Sequence, residues 1–271
     1  MIENFMQSIS PPVQALVAGS FTWGLTALGA AMVLFIRDVN KKLLDTALGF
    51  AAGVMIAASF WSLLEPAIEM SQKLNLPAWI PPATGFISGA AFLRLIDMIL
   101  PHLHLQSPAN QAEGIKTSFR RSTLLVLAVT LHNIPEGLAI GVSFGAHGID
   151  PESVSLTASV ILAFGIGIQN IPEGFAISMP LRSEGISNGK SFFYGQLSGL
   201  VEPIFAFIGV LLVELMQNLL PYALGFAAGA MIFVTAEELI PESQRSGNSD
   251  IATAGLIIGF TLMMILDIAF K

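Results

Sequence analysis

Leu48-Gly49-Phe50-Ala51-Ala52-Gly53-Val54-Met55-Ile56 returns 176 positions later as Leu224-Gly225-Phe226-Ala227-Ala228-Gly229-Ala230-Met231-Ile232, with eight of nine positions alike. Both copies lie inside apolar stretches of about 20 residues, the length that crosses the hydrocarbon core of a bilayer. Eight such stretches occur, at roughly 12–36, 46–66, 81–100, 123–145, 154–181, 191–215, 221–240 and 251–270. The composition agrees. Of 271 residues, 54% are hydrophobic and 11% charged, under half the roughly 25% charge of soluble domains. A net charge of −7 with only 12 Lys and Arg excludes a nucleic-acid partner. Zero Cys excludes disulfides, thiolate metal sites and cysteine nucleophiles. The expected fold class is all-α: a polytopic membrane protein whose single domain, 1–271, holds eight transmembrane helices in the lipid bilayer.

The repeated nonapeptide sits in stretches two and seven, which are five crossings apart and therefore run in opposite directions. Stretches three and eight pair in the same sense through Gly85, Gly89 and Asp97 against Gly255, Gly259 and Asp267, and stretches one and six through Gly19 and Gly29 against Gly199 and Gly209. This predicts inverted-topology repeats over about 12–100 and 191–270 around a central helix pair over about 123–181, a 3+2+3 arrangement of the kind secondary transporters use. Nine of the twelve basic residues, Arg37, Lys41, Lys42, Lys116, Arg120, Arg121, Arg182, Lys190 and Arg245, fall in connections on one side. The positive-inside rule makes that side cytoplasmic and leaves both termini outside the cytoplasm of a multi-pass cell (inner) membrane protein. Met1-Ile2-Glu3-Asn4 lacks the basic start of a cleaved signal, so the first stretch is expected to stay.

The central pair carries its own repeat. His132-Asn133-Ile134-Pro135-Glu136-Gly137 is followed 37 positions later by Gln169-Asn170-Ile171-Pro172-Glu173-Gly174. His132 and Glu136 are four apart and share one helix face, as do Gln169 and Glu173, so each pair can grip one ion. Asn133 and Asn170, turned about 100° away, offer a second, adjacent position. Pro135 and Pro172 cannot bond the carbonyls of Leu131 and Ile168, which predicts disrupted helices with carbonyls free for a cation. Glu202-Pro203 repeats the device, freeing the carbonyl of Gly199 beside a third carboxylate. At membrane depth an acidic side chain costs on the order of 2.5–3.5 kcal/mol, and no Lys or Arg lies near the motifs to offset it, so the counter-charge must be protons or a bound cation. One imidazole among carboxylate and amide oxygens suits a borderline divalent ion such as zinc.

Further carboxylates mark the mouths: Glu65 and Glu69 at one end of stretch two, and Glu237, Glu238 and Glu242 at the opposite end of stretch seven. His102 and His104, two apart on the polar connection 101–122, read first as solvated side chains and second as a weak cytoplasmic metal trap. Gly137 and Gly174 read as close-packing residues.

The paired His-Asn-Ile-Pro-Glu-Gly and Gln-Asn-Ile-Pro-Glu-Gly motifs resemble those of the ZIP (ZRT/IRT-like) family of divalent metal transporters. With Glu202-Pro203, Pro101-His102-Leu103-His104 and Glu238-Leu239-Ile240-Pro241-Glu242, the chain looks like its GufA-like prokaryotic branch over essentially its whole length. The resemblance implies uptake of Zn²⁺ into the cytoplasm, with Cd²⁺, Fe²⁺ or Mn²⁺ as further substrates, through a binuclear site. One position would use His132, Glu136, Gln169 and Glu173, and the other Asn133, Glu136, Asn170, Glu173 and Glu202; Met55, in its Ala-Ala-Gly-Val-Met setting, joins the first. Asn170 stands where relatives of this branch often carry Asp. Members commonly dimerise, so a homodimer is implied. The rival readings are an intramembrane metal-dependent hydrolase, which gives no reason to duplicate the motif in opposite orientation, and a secondary transporter of protons or an organic solute, which leaves the amide ligands unexplained. The expectation is a transporter and not an enzyme.

Overall fold

The structure is a computed structural model that describes residues 2–36, 40–73, 77–102, 114–115, 121–183, 185–215 and 219–270. The described residues form helices and connections without a strand. A short helix, Ile2–Gln7, precedes eight helices long and apolar enough to cross a membrane: α1 (Pro11–Leu34), α2 (Lys41–Ser71), α3 (Ile80–Ile99), α4 (Thr123–Ile149), α5 (Leu156–Ser183), α6 (Asn188–Leu215), α7 (Leu220–Gln244) and α8 (Ser249–Ala269). Helices α2 and α5 are buried over 67% of their apolar windows and α3 and α8 over only 28%. The former are the interior of the bundle; the latter turn Ile87, Leu95, Met98, Ile257, Ile258 and Ile265 outward, as lipid-facing helices do.

The helices pack most extensively as α2 on α8, α3 on α7, α4 on α6 and α1 on α5. Small residues make these seams close. A Cβ on Gly49 would lie 2.1 Å from the Ala252 carbonyl oxygen, and one on Gly53 2.0 Å from that of Leu256. The residues at an offset of 176, Gly225 and Gly229, stand 2.5 and 2.0 Å from the carbonyl oxygens of Pro82 and Phe86 of α3 on the same measure. Backbones this close leave no room for a side chain, which is how helices associate when lipid removes the hydrophobic drive between them.

Helices α2 and α7 share a further irregularity. Each contains a π-helical turn, Ser59–Leu64 in one and Thr235–Leu239 in the other. Pro66 and Pro241 follow, and their missing N–H groups break the regular ladder just there. Ser59 Oγ donates to the Met55 carbonyl at 2.7 Å and Thr235 Oγ1 to that of Met231 at 2.8 Å, again at the same offset. By contrast, α4 and α5 run unbroken through Pro135 and Pro172, where interruption was expected. Only the third proline device interrupts a helix: α6 consists of Asn188–Gly199 and Val201–Leu215, joined by a tight turn at Leu200.

At one end of the bundle Lys73, beyond α2, donates to Asp150, beyond α4, and to Ser153 Oγ at 3.2 Å. Partial burial pushes the Asp150 carboxyl up, but the hydrogen bonds from Lys73 and Ser153 outweigh this and hold it below the usual carboxylate range. A depressed carboxyl favours folding above its unfolded pKa and loses that contribution as pH falls through the folded value, so this tie is intact at neutral pH. The other end is tied by Asp45, fully buried, which accepts from Ser246 Oγ at 3.1 Å and Asn248 Nδ2 at 2.8 Å, and by Arg182, which donates to the carbonyls of Val33 and Ile36 at the end of α1.

The seams predict an ordering of stability. Gly53→Ala should cost about 1–3 kcal/mol by overpacking and lower the unfolding temperature in detergent, whereas Gly24, with nothing within 4 Å of its Cβ position, should accept Ala with no loss. The reverse order would contradict this packing.

Candidate metal site

The unbroken α4 and α5 carry their motifs into the centre of the bundle. His132 Nε2 lies 3.6 Å from Glu136 Oε1 on its own helix and 3.4 Å from Glu173 Oε1 on α5. One ligand atom from each of these three residues falls within 4.8 Å of the other two. Gln169 Nε2 donates to Glu136 Oε1 at 2.7 Å and so orients that carboxylate. All four residues are buried.

The remaining oxygens are unserved. Among the described residues, His132 Nε2, Glu136 Oε2, Gln169 Oε1 and both carboxylate oxygens of Glu173 are buried without a hydrogen-bond partner, as are both amide atoms of Asn133 and the amide oxygen of Asn170. Buried acceptors are almost always paired, because leaving one bare costs its full desolvation. The unserved oxygens of Glu136 and Glu173 lie beside the His132 imidazole, and a cation is a complement that such a group can take. Two carboxylates balance one divalent charge, with neutral imidazole and amide completing the donor set.

Glu202 stands beside this group on α6, in the first turn of Val201–Leu215 and fully buried. Its Oε2 accepts from Asn170 Nδ2 at 2.8 Å and its Oε1 from Thr26 Oγ1 at 3.1 Å. The motif glycines set these approaches. A Cβ on Gly137 would be 2.6 Å from the Glu202 carbonyl oxygen, and one on Gly174 2.1 Å from that of Thr26. Thr26 is the neighbour that sequence reasoning missed, since a lone Thr in an apolar helix carries no signal of its own. Met55 is fully buried, and the contact its sulfur makes is with Thr235 Oγ1, at 3.5 Å.

A second group lies toward the end of the bundle where α3 and α7 finish. Asp97, His102 and Glu238 each offer a ligand atom within 4.8 Å of the others. His102 is 1% exposed, not solvated: its Nε2 meets Asp97 Oδ1 at 2.8 Å and its Nδ1 lies 2.9 Å from the Leu100 carbonyl, because the chain folds back after α3. Arg94 Nη1 holds the other Asp97 oxygen at 2.8 Å. Two small cavities, of about 30 and 20 Å³, both reach His132; one is lined by Glu238 and Glu242, the other by Asp97, His102, Glu237 and Glu238. At the offset that relates α2 to α7, Ser62 replaces Glu238 and donates to Asp267 Oδ1 at 2.7 Å. Glu65 and Glu69 are half-buried near the other end of α2, and His104 lies outside the described residues.

Eight span-length helices around a buried imidazole–carboxylate group define a multi-pass membrane protein with an interior suited to a cation. The family model for the ZIP Zinc transporter matches residues 102–267. The chain is 40% identical to the zinc transporter ZIP11 of Xenopus tropicalis, over 96% of this chain and 98% of that protein. It is 40% identical to the zinc transporter GufA of Myxococcus xanthus, over 94% and 98% of the two chains, and 38% identical to the zinc transporter ZIPB of Bordetella bronchiseptica, over 94% and 81%. The chain belongs to the ZIP family; it is a transporter and not an enzyme, so the hydrolase reading falls away.

The geometry generates a binding prediction. Gln169→Leu removes both the donor that orients Glu136 and a bare acceptor, so calorimetric titration with Cd²⁺ should show affinity reduced by ~10–100-fold, as for loss of an outer-shell partner. Unchanged affinity would place the ion elsewhere.

Proposed function

We propose that this chain carries Zn²⁺ across the inner membrane into the cytoplasm, holding the ion between α4 and α5 on His132, Glu136, Gln169 and Glu173. The observation that carries this reading is the group of ligand atoms from His132, Glu136 and Glu173 within 4.8 Å of one another, in which Glu136 Oε2 and both Glu173 oxygens are buried without a hydrogen-bond partner. The zinc transporters to which the chain is similar support the choice of ion, and Cd²⁺, Fe²⁺ and Mn²⁺ are further substrates that the same oxygen and nitrogen donors accept. An organic solute does not fit the cavities of about 30 and 20 Å³ that reach His132, and the larger cavity beside α4 is lined by none of the polar motif residues.

The reading takes the bundle as two inverted repeats, α1–α3 and α6–α8, flanking α4 and α5. Its support is the matched glycine seams and the paired π-helical turns. With the basic connections in the cytoplasm, both termini lie outside, Glu65 and Glu69 flank the way in, and Glu238, Glu242, Asp97 and His102 receive the ion on its way out.

The two halves also differ in a way that favours a carrier over an open channel. A cavity of about 490 Å³, lined by Phe92, Ile134, Leu138, Phe205 and Phe226, separates α3 and α7 from α4 and α6. On the seam related to it by the repeats, Gly165 of α5 is pressed on Met263 of α8, a Cβ there lying 2.6 Å from the Met263 sulfur. One seam loose and its counterpart shut is what inverted repeats give when their conformations are unequal, and exchanging them would alternate access to the site.

Reconstituted into liposomes, the chain should take up radioactive zinc, and Glu136→Ala or Glu173→Ala should cut the rate by at least ~10-fold at equal yield of folded protein. Wild-type uptake by either variant would remove the proposed site.

A further inference from the structure

We infer that this chain holds one ion at its centre and not two, because the amide of Asn170 and the hydroxyl of Thr26 occupy the Glu202 carboxylate in place of a second ion. The inference rests on the position proposed above for the first ion.

The three central carboxylates are not equivalent. Glu136 Oε2 and both oxygens of Glu173 have no hydrogen-bond partner, whereas each oxygen of Glu202 has one. Asn170 Nδ2 serves Glu202 Oε2 at 2.8 Å and Thr26 Oγ1 serves Oε1 at 3.1 Å. Glu202 also begins the second half of α6, where the unpaired N–H groups of a helix start favour a negative charge. The group of converging ligand atoms accordingly comprises His132, Glu136 and Glu173 and does not extend to Glu202. Both donors are anchored: Asn170 and Thr26 are buried, and the tight crossings at Gly137 and Gly174 fix α6 and α1 where they meet.

Charge leads to the same conclusion. One divalent ion neutralises Glu136 and Glu173, leaving the single charge of Glu202 to its hydrogen bonds and helix terminus. A second divalent ion would turn that single negative charge, which is held by two donors, into a single positive one, four charges against three, with no carboxylate left to answer it in a low-dielectric interior. An aspartate at position 170 would supply the fourth negative charge and remove a donor that now competes for Glu202. Residue 170 thus sets the number of ions carried.

The test counts Cd²⁺ per chain, by equilibrium dialysis and elemental analysis of the full-length protein in detergent. A background carrying Asp97→Asn, His102→Ala and His104→Ala makes the count report the centre alone. The expected result is one Cd²⁺ per chain, abolished by Glu173→Ala and raised to two by Asn170→Asp. Glu202→Gln, which preserves shape, keeps one acceptor for Asn170 Nδ2 and turns the other into a donor that the Thr26 hydroxyl can accept, should leave the count at one and keeps the test decisive if Asn170→Asp does not fold. Two Cd²⁺ in the parent background with one lost in Glu202→Gln, or a count of one in folded Asn170→Asp, would overturn the inference. A count indifferent to Glu173→Ala would instead overturn the site proposed for the first ion, and this inference with it.

Discussion

A carboxylate inside a membrane protein must be answered by something, and three of them, Glu136, Glu173 and Glu202, are buried at the centre of this bundle. Each costs on the order of 2.5–3.5 kcal/mol even on lenient insertion scales, and among the described residues the imidazole of His132 is the basic group that meets Glu136 and Glu173. Much else in the structure follows from how that cost is met. Unbroken helices through Pro135 and Pro172 bring His132 and Glu136 against Glu173. The motif glycines draw α6 and α1 in until Glu202 meets Asn170 and Thr26. Under the proposed function a mobile divalent ion answers the first two carboxylates, while Asn170 and Thr26 answer the third.

Much of the fold was legible in the sequence because its determinants are local. Eight apolar stretches became eight span-length helices, and the nonapeptide repeat marked two helices whose glycines make close crossings. The spacing of His132 to Glu136 and of Gln169 to Glu173 correctly put each pair on one face. What escaped depends on long-range or backbone-level choices. The π-helical turns arise where Pro66 and Pro241 remove a donor, yet Pro135 and Pro172 do the same without breaking their helices, so packing decides the outcome and not composition. His102 read as a solvated loop residue because its burial needs the chain to fold back after α3 onto Asp97. Thr26 gave no sign, since its importance comes from a crossing that Gly174 permits 148 positions away.

Under the proposed inverted repeats, the two ends of the molecule carry different partners at corresponding places. Asp267 and Asp97 occupy related places, yet one meets the hydroxyl of Ser62 and the other meets His102 beside Glu238. A hydroxyl–carboxylate pair binds a divalent ion weakly, whereas an imidazole between two carboxylates is a competent donor set. Under the proposed orientation, an ion moving from the first end to the second would meet the better donor set last. Inward transport agrees with that order.

The central claim is that one ion sits between α4 and α5 on His132, Glu136 and Glu173. Its most direct test is anomalous diffraction at the cadmium absorption edge from crystals of the wild-type protein grown with Cd²⁺. The account predicts a central anomalous peak within bonding distance of His132 Nε2 and of oxygens from both Glu136 and Glu173. A central peak bonded instead to Glu202 and Asn170, with His132 bare, would contradict it.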